Sequence, residues 1–574
     1  METKPVEVKI QDLVYNIDTG IGLRIVQFVL GLIVLFALIL WFTAVRFRGL
    51  KEAEAMELAQ LGRNLLREKS FVTRCVRPSS MQFLIRNSPA RSAQIERHPD
   101  IRHPPLYPIL LAAAFAPASK AFSGDSVQPG QVYTPEQWCI MPLNHLFVLL
   151  SGIFAYLIAR RLFSVRVARL TLVVFFLSRM VWEDSLAGIG LPVAWWFGLG
   201  AWYFLMRMSE PGEATAPVRG WPMFLLLAAV FAGLAALTRY AALALIPGML
   251  LYIGFVFRSR MAGPAVAFLV AVGAVLAPWL YRNYRVCGAL WGDAPRTALH
   301  NSALSEGDAM DRTMKTALTF GAVRRAVAAK MARRVSDLYR HDLGRLGEGL
   351  LLPLFFTTFL FRFVRRETRR FRWAVGVSLL SLFVVSTVFE SAFRLLHLFW
   401  PIMAAYGLAF FFVMLDRLQW QLRIAQIAAT AFVVSLSAAP FAAGLLPPAE
   451  PIPYPPYLPT FVRFVSGLLE PNETMCTDMP WATAWYGERN SIYVPITLEE
   501  FYEINDYHKG IRGLYFTTLT RDLPFVRVLL TGPYKNWFPI LQGRIPSDFP
   551  LMYGLPLNNM DQLFLSDRVR WGGR

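Results

Sequence analysis

Charged residues are scarce in this chain. They make up 17% of its 574 residues, where a soluble domain carries about 25%. The shortfall excludes an ordinary soluble protein, because the apolar residues are blocked rather than spread. The run from Ile25 to Val45 (IVQFVLGLIVLFALILWFTAV) holds no charge. It is long enough for a bilayer core of about 30 Å, which takes about 20 helical residues. Strict polar–apolar alternation is missing, which excludes a membrane barrel and leaves helices as the spanning structure. Histidine and cysteine are also few. The chain has 7 histidines and four well-separated cysteines, Cys75, Cys139, Cys287 and Cys476, so no zinc-ligand spacing occurs and no metal or other cofactor is indicated. No Gly-rich nucleotide-binding loop is present. No internal repeat is visible and the apolar runs are almost free of acids, both of which weigh against a transporter. The first apolar run is too long for a signal core and no small-residue cleavage site follows it, so it reads as a retained anchor.

Basic charge is present in excess, with a net charge of +19. On a soluble protein this would suggest nucleic acid. Here the basic residues sit in short loops between apolar runs and set topology instead. About eleven spans are expected, near 23–45, 141–161, 166–182, 188–207, 222–238, 240–257, 264–281, 349–364, 373–389, 395–415 and 424–446. Arg160, Arg161, Arg166 and Arg169, then Arg258 and Arg260, the run RFVRRETRRFR (Arg362 to Arg372), and Arg417 with Arg423 all fall on one side of such an arrangement. A cytoplasmic N-terminus then puts the C-terminus outside. The expected architecture is an all-α polytopic membrane protein with a C-terminal extracytoplasmic α/β domain. Residues 1–446 form the membrane portion, with outer loops at 46–140 and 282–348, and residues 447–574 form the outer domain after a proline-rich linker. Ala322 to Leu346 reads as an amphipathic helix on the membrane face. The four cysteines all fall outside, where disulfides are permitted; unpaired thiols are the alternative.

The first outer loop carries the densest chemistry. Ala55, Leu58, Ala59, Gly62, Leu65 and Leu66 recur at helical spacing, with Glu52, Glu54 and Glu57 near the helix start. Acids there favour the helix dipole; one facing the span bundle could instead be a general base. The loop closes with HPDIRHPPLYP, where His103 precedes two prolines and a short apolar helix, Leu106 to Phe115. Arg239, Arg282, Arg394 and His397 recur at the outer ends of spans. Arginine at that depth usually has a partner or a function, and its fork suits phosphate oxygens; headgroup snorkelling is the alternative. Glu183 and Asp184 fall on the same side.

These pieces together resemble the GT-C glycosyltransferases, in the branch of the protein O-mannosyltransferases and aminoarabinose transferases. The resemblance covers most of the membrane portion. It rests on the acid-bearing first loop, HPPLYP, ARRLF after the second span, PWLYRN after the seventh, and the basic start of the span before Pro401. It implies an enzyme of the plasma (inner) membrane that moves a sugar from a polyprenyl phosphate to a lipid, glycan or protein acceptor on the outer face. The family's loop-one Asp-Glu pair is Ala53-Glu54 here, so the leading aspartate is absent. The resemblance leaves Glu54, Glu57 or Asp184 as the catalytic acid. It implies His103, Arg239, Arg282, Arg394 and His397 as ligands of the donor phosphate. A lipid or sugar transporter and a catalytically inactive envelope-assembly protein are the rival readings.

Overall fold

A computed structural model describes residues 21–87, 95–118, 132–211, 217–315, 319–342, 344, 346–419, 422–447, 458–557 and 561–571. The proline-rich linker and both termini lie outside these residues. The chain is a multi-pass membrane protein. Among the described residues, eight helices are long and apolar enough to span: Ile25–Arg46, Glu136–Leu162, Trp221–Thr238, Tyr240–Arg260, Ala262–Cys287, Arg366–Val388, Glu390–Arg417 and Arg423–Gly444.

The expected count of about eleven is therefore corrected to eight. The segments at 166–182, 188–207 and 349–364 form shorter helices. Val165–Phe176 has 12 residues and stops before Ser178, whose backbone is extended. Leu191–Arg207 has 17 residues; at 1.5 Å per residue it measures about 26 Å. It starts late because Gly188 and Gly190 both take left-handed φ, at 73° and 72°. The third segment contributes Leu351–Leu360. Hydropathy overcounts because apolar side chains also serve protein contact. In Leu191–Arg207, Trp195 and Trp202 are wholly buried against other helices.

The elements that place the site are α1 (Ile21–Arg46), α2 (Ala53–Glu68), α3 (Arg179–Leu186), α4 (Arg366–Val388), the 3-10 helix Glu390–Phe399 and α5 (Trp400–Arg417). Helix α2 packs between Leu106–Phe115 and Pro480–Trp485. Gly62 allows the approach to the first, since a Cβ there would stand 2.8 Å from Leu111 Cβ. On the other side Arg63 donates to the carbonyls of Ala484 and Trp485 at 2.6 and 2.7 Å. The amphipathic segment of the second loop forms the helix Phe320–Asp337.

The C-terminal α/β region is built on a six-stranded sheet of order β1-β3-β2-β4-β6-β5. Strands β2 (Thr474–Thr477), β3 (Asn490–Tyr493) and β4 (Ile511–Phe516) run parallel, while β5 (Tyr553–Leu557) and β6 (Gln562–Ser566) are antiparallel. Strand β1 (Cys75–Val76) comes from the first loop and pairs with β3, Cys75 opposite Ser491. One sheet thus holds the first loop and the C-terminal region together on one face of the bundle. All four cysteines are buried and unpaired, which decides between the two readings open in the sequence.

Candidate functional site

The chain leaves α1, runs extended through Glu52 and enters α2 at Ala53. Glu52 is the residue before the helix, yet its side chain makes no capping hydrogen bond. Its carboxylate meets the guanidinium of Arg394 instead. Glu54, in the first turn of α2, pairs with Arg239 at 3.1 Å. Both acids that the helix dipole would favour are therefore aimed at arginines of the membrane bundle.

Arg239 sits where the helix Trp221–Thr238 ends and a 3-10 helix begins, with extended φ of −148° and ψ of 118°. That break sets its side chain among the ends of three elements. It donates to the carbonyls of Ile189 at 3.0 Å and Ser391 at 3.3 Å. Its side chain is 6% exposed, whereas that of Glu54 is 34% exposed; Glu54 is the reachable member of the pair. Arg394 and His397 are three residues apart on the 3-10 helix, which at three residues per turn puts them on one face. His397 Nδ1 is hydrogen-bonded to the carboxylate of Asp184 on α3, and its Nε2 is buried with no partner among the described residues. Asp184 and Glu54 both lie within electrostatic reach of Arg394. Burial raises the Glu52 carboxyl above its usual value, against the opposing pull of Arg394. Glu348 orients α3 by accepting from the backbone N–H groups of Arg179 and Met180 at 3.1 and 3.0 Å.

A second cluster adjoins the first, one turn along α2. Glu57 pairs with Arg77 and stands 3.3 Å from His103 Nε2. Asp100 accepts from the backbone N–H of His103 at 2.9 Å and holds its Nδ1 at 3.0 Å. Burial works against a charged imidazole here, but Asp100 and Glu57 outweigh it and raise the His103 value. Arg102 forks onto Asp311 of the second loop with two contacts of 2.7 Å. Arg282 donates to the carbonyls of Asp100 and Phe71 and stacks 4.8 Å over Trp279. These residues are paired with one another and fasten the first and second long loops to the bundle.

Of the residues expected from sequence, Glu54, Asp184, Arg239, Arg394 and His397 come together. Glu57, His103 and Arg282 fall in the adjoining cluster. Sequence reasoning weighed Glu52 beside Glu54 and Glu57 without placing it in the site, and did not single out Arg77, Asp100 or Glu348. Asp100 left a faint signal, three residues before His103. Glu348 left none, because its partners are some 169 residues away.

The arrangement is a set of carboxylates and guanidiniums where α2 meets the ends of membrane helices. It can neutralise an anion and accept a proton in the same place. Solved structures with this arrangement of helices exist. The chain matches ArnT from Cupriavidus metallidurans bound to undecaprenyl phosphate with a TM-score of 0.55 and 12% identity, over 96% of this chain and 99% of that one. The apo form of the same protein gives 0.56 and 13%, with the same coverage.

The chain has a GT-C-like fold.

A second match carries the same architecture from another source. The archaeal oligosaccharyltransferase AglB from Archaeoglobus fulgidus, in complex with an inhibitory peptide and a dolichol-phosphate, aligns with a TM-score of 0.50 and 11% identity, over 89% of this chain and 71% of that one. No protein-family model and no curated protein matches the sequence. The likeness lies in the GT-C-like arrangement of helices and C-terminal region rather than in residue identity.

Proposed function

We propose that this chain is a membrane glycosyltransferase that moves a sugar from a polyprenyl phosphate carrier to an acceptor on the outer face of the membrane. The observation that carries the reading is the meeting of Glu54 and Glu52 with Arg239 and Arg394 at the head of the bundle, within a GT-C-like fold. Two solved structures of that fold hold a polyprenyl phosphate, undecaprenyl phosphate in one and dolichol-phosphate in the other. We assign residues 1–446 to the membrane portion and 447–574 to the outer region, with the N-terminus cytoplasmic; ends on opposite sides need an odd number of crossings, so at least one of the three shorter helices crosses together with the eight long ones. The pairing of β1 with β3 supports a first loop and C-terminal region on one side.

The reaction is a single displacement. The acceptor hydroxyl oxygen forms a bond to the anomeric carbon as the bond from that carbon to the phosphate oxygen breaks. Glu54 takes the hydroxyl proton, and the polyprenyl phosphate leaves with the electron pair. Arg394 and Arg239 hold the charge that grows on the leaving phosphate. The phosphate takes the guanidinium faces that Glu52 and Glu54 occupy without it, which frees Glu54 to act as a base. Asp184 orients His397, whose Nε2 is left to meet the phosphate or the acceptor. Arg282, His103 and Glu57 hold the loop that carries these groups. The test is release of polyprenyl phosphate by the purified chain, offered a panel of polyprenyl phosphate sugars in lipid nanodiscs. Turnover of none of them, with acceptor extracts present, would sink the reading.

A further inference from the structure

The face of the bundle away from the outer sheet carries a second concentration of arginine that the reaction does not use. Between the short helix Leu351–Leu360 and the start of α4, the chain forms a cavity of about 290 Å³ lined by Arg362, Phe363, Val364, Arg366 and Arg369. The one acid in this stretch is Glu367, which is buried and engaged by Arg161 at 2.6 Å. Among the described residues no acid pairs with Arg362, Arg366 or Arg369. Arg258 and Arg370 lie close enough to add to the same field. Like charges brought this close repel unless a counter-charge joins them. Basic residues that only set topology need no shared cavity.

Two further observations narrow the ligand. The cavity opens at the N-terminus of a 23-residue helix whose preceding residue, Arg365, makes no side-chain cap. The first amide N–H groups of α4 therefore add a positive dipole end and donors to the site. Large apolar side chains stand exposed beside the arginines: Leu360 is 84% and Val364 97% exposed. An anion alone has no use for that apolar edge. A phosphate attached to acyl chains satisfies both halves, with guanidinium forks on the phosphate oxygens and apolar side chains along the glycerol and upper acyl region.

We propose that Arg362, Arg366 and Arg369, with the N-terminus of α4, form a binding site for the phosphate headgroup of an anionic phospholipid on the membrane face opposite the transfer site. The site stands apart from the sugar-transfer residues and does not depend on that reading. It also gives a function to the apolar–basic junction FRFVRR, which topology alone leaves unexplained.

The experiment uses the full chain purified in detergent, with native mass spectrometry during titration of phosphatidylglycerol, phosphatidylcholine or inorganic phosphate. The wild-type chain is expected to retain phosphatidylglycerol and not phosphatidylcholine. The triple variant Arg362→Ala, Arg366→Ala, Arg369→Ala is expected to bind phosphatidylglycerol more weakly by about tenfold or more. The triple lysine variant preserves the charge that orients the helices, and is expected to bind between the two because lysine does not fork. Val364→Ser keeps every charge and is expected to weaken lipid binding alone. Equal phosphatidylglycerol binding by the wild type and the folded alanine variant would overturn the site. Inorganic phosphate that binds as well as the lipid, with no effect of Val364→Ser, would make it a free-phosphate site and overturn the lipid assignment.

Discussion

Glu54→Gln separates the two functions that the Glu54–Arg239 pair can serve. If Glu54 only neutralises Arg239, the variant loses one ion pair of 3.1 Å whose acid side is one-third exposed. Solvent screens such a pair, and its worth is about 1 kcal/mol or less. Arg239 also keeps its bonds to the carbonyls of Ile189 and Ser391, and a glutamine oxygen can accept from the same guanidinium. The unfolding midpoint should then shift by no more than about 2–4 °C. If Glu54 is the base, the same change removes the proton acceptor and lowers turnover on the order of a hundredfold or more, about 2.7 kcal/mol of barrier. The assay follows polyprenyl phosphate release in nanodiscs beside thermal unfolding of the same preparation. The expected outcome is a stable protein with turnover reduced by that factor. A well-folded Glu54→Gln chain that keeps more than about a tenth of wild-type turnover would refute the assignment, and Asp184→Asn would become the next variant to measure.

Other outcomes follow from the same geometry. Arg394→Ala should raise the donor KM or slow transfer by about tenfold to a hundredfold, since a charge-assisted contact contributes about 1.5–3 kcal/mol, and Arg394→Lys should rescue only in part; unchanged kinetics in both would make Arg394 a partner of Glu52 and no more. Arg282→Ala should lower thermal stability while leaving the donor KM near wild type, because its donors bind the carbonyls of Asp100 and Phe71; the reverse pattern would return Arg282 to the phosphate site. The His103 value is raised above 6.5 by Asp100 and Glu57, against burial. Its stabilising contribution is therefore complete below the unfolded value and is lost as pH rises through the folded one. Midpoints should fall as pH rises above 6.5 in the wild type and stay flatter in His103→Gln, and parallel curves would remove His103 from the fastening. A reporter active only outside the cytoplasm should work when fused after Arg574 and stay silent after Arg370; the opposite pattern would move the transfer site to the cytoplasmic face.

The sequence by itself determined the membrane class and the all-α character of the membrane portion. Long uncharged runs leave the backbone no partner but itself in lipid, so helices were legible without coordinates. The run from Ile25 to Val45 falls within α1. Local spacing also gave the acid-bearing start of α2 and the apolar helix after His103. Hydropathy did not separate a helix facing lipid from one facing protein, because both are apolar. Leu191–Arg207 reads as a span for that reason, although its tryptophans are buried among other helices. Pairing was decided by tertiary structure alone. Glu52 and Arg394 are 342 residues apart, and Glu54 and Arg239 are 185. Asp184 and His397 lie 213 apart. No local pattern couples such positions, since a carboxylate near a helix start looks the same whether it faces water, a dipole or a guanidinium. The addition of Cys75 and Val76 to the C-terminal sheet has the same cause: two residues carry too short a pattern to announce a strand, and only the partner β3 makes them one.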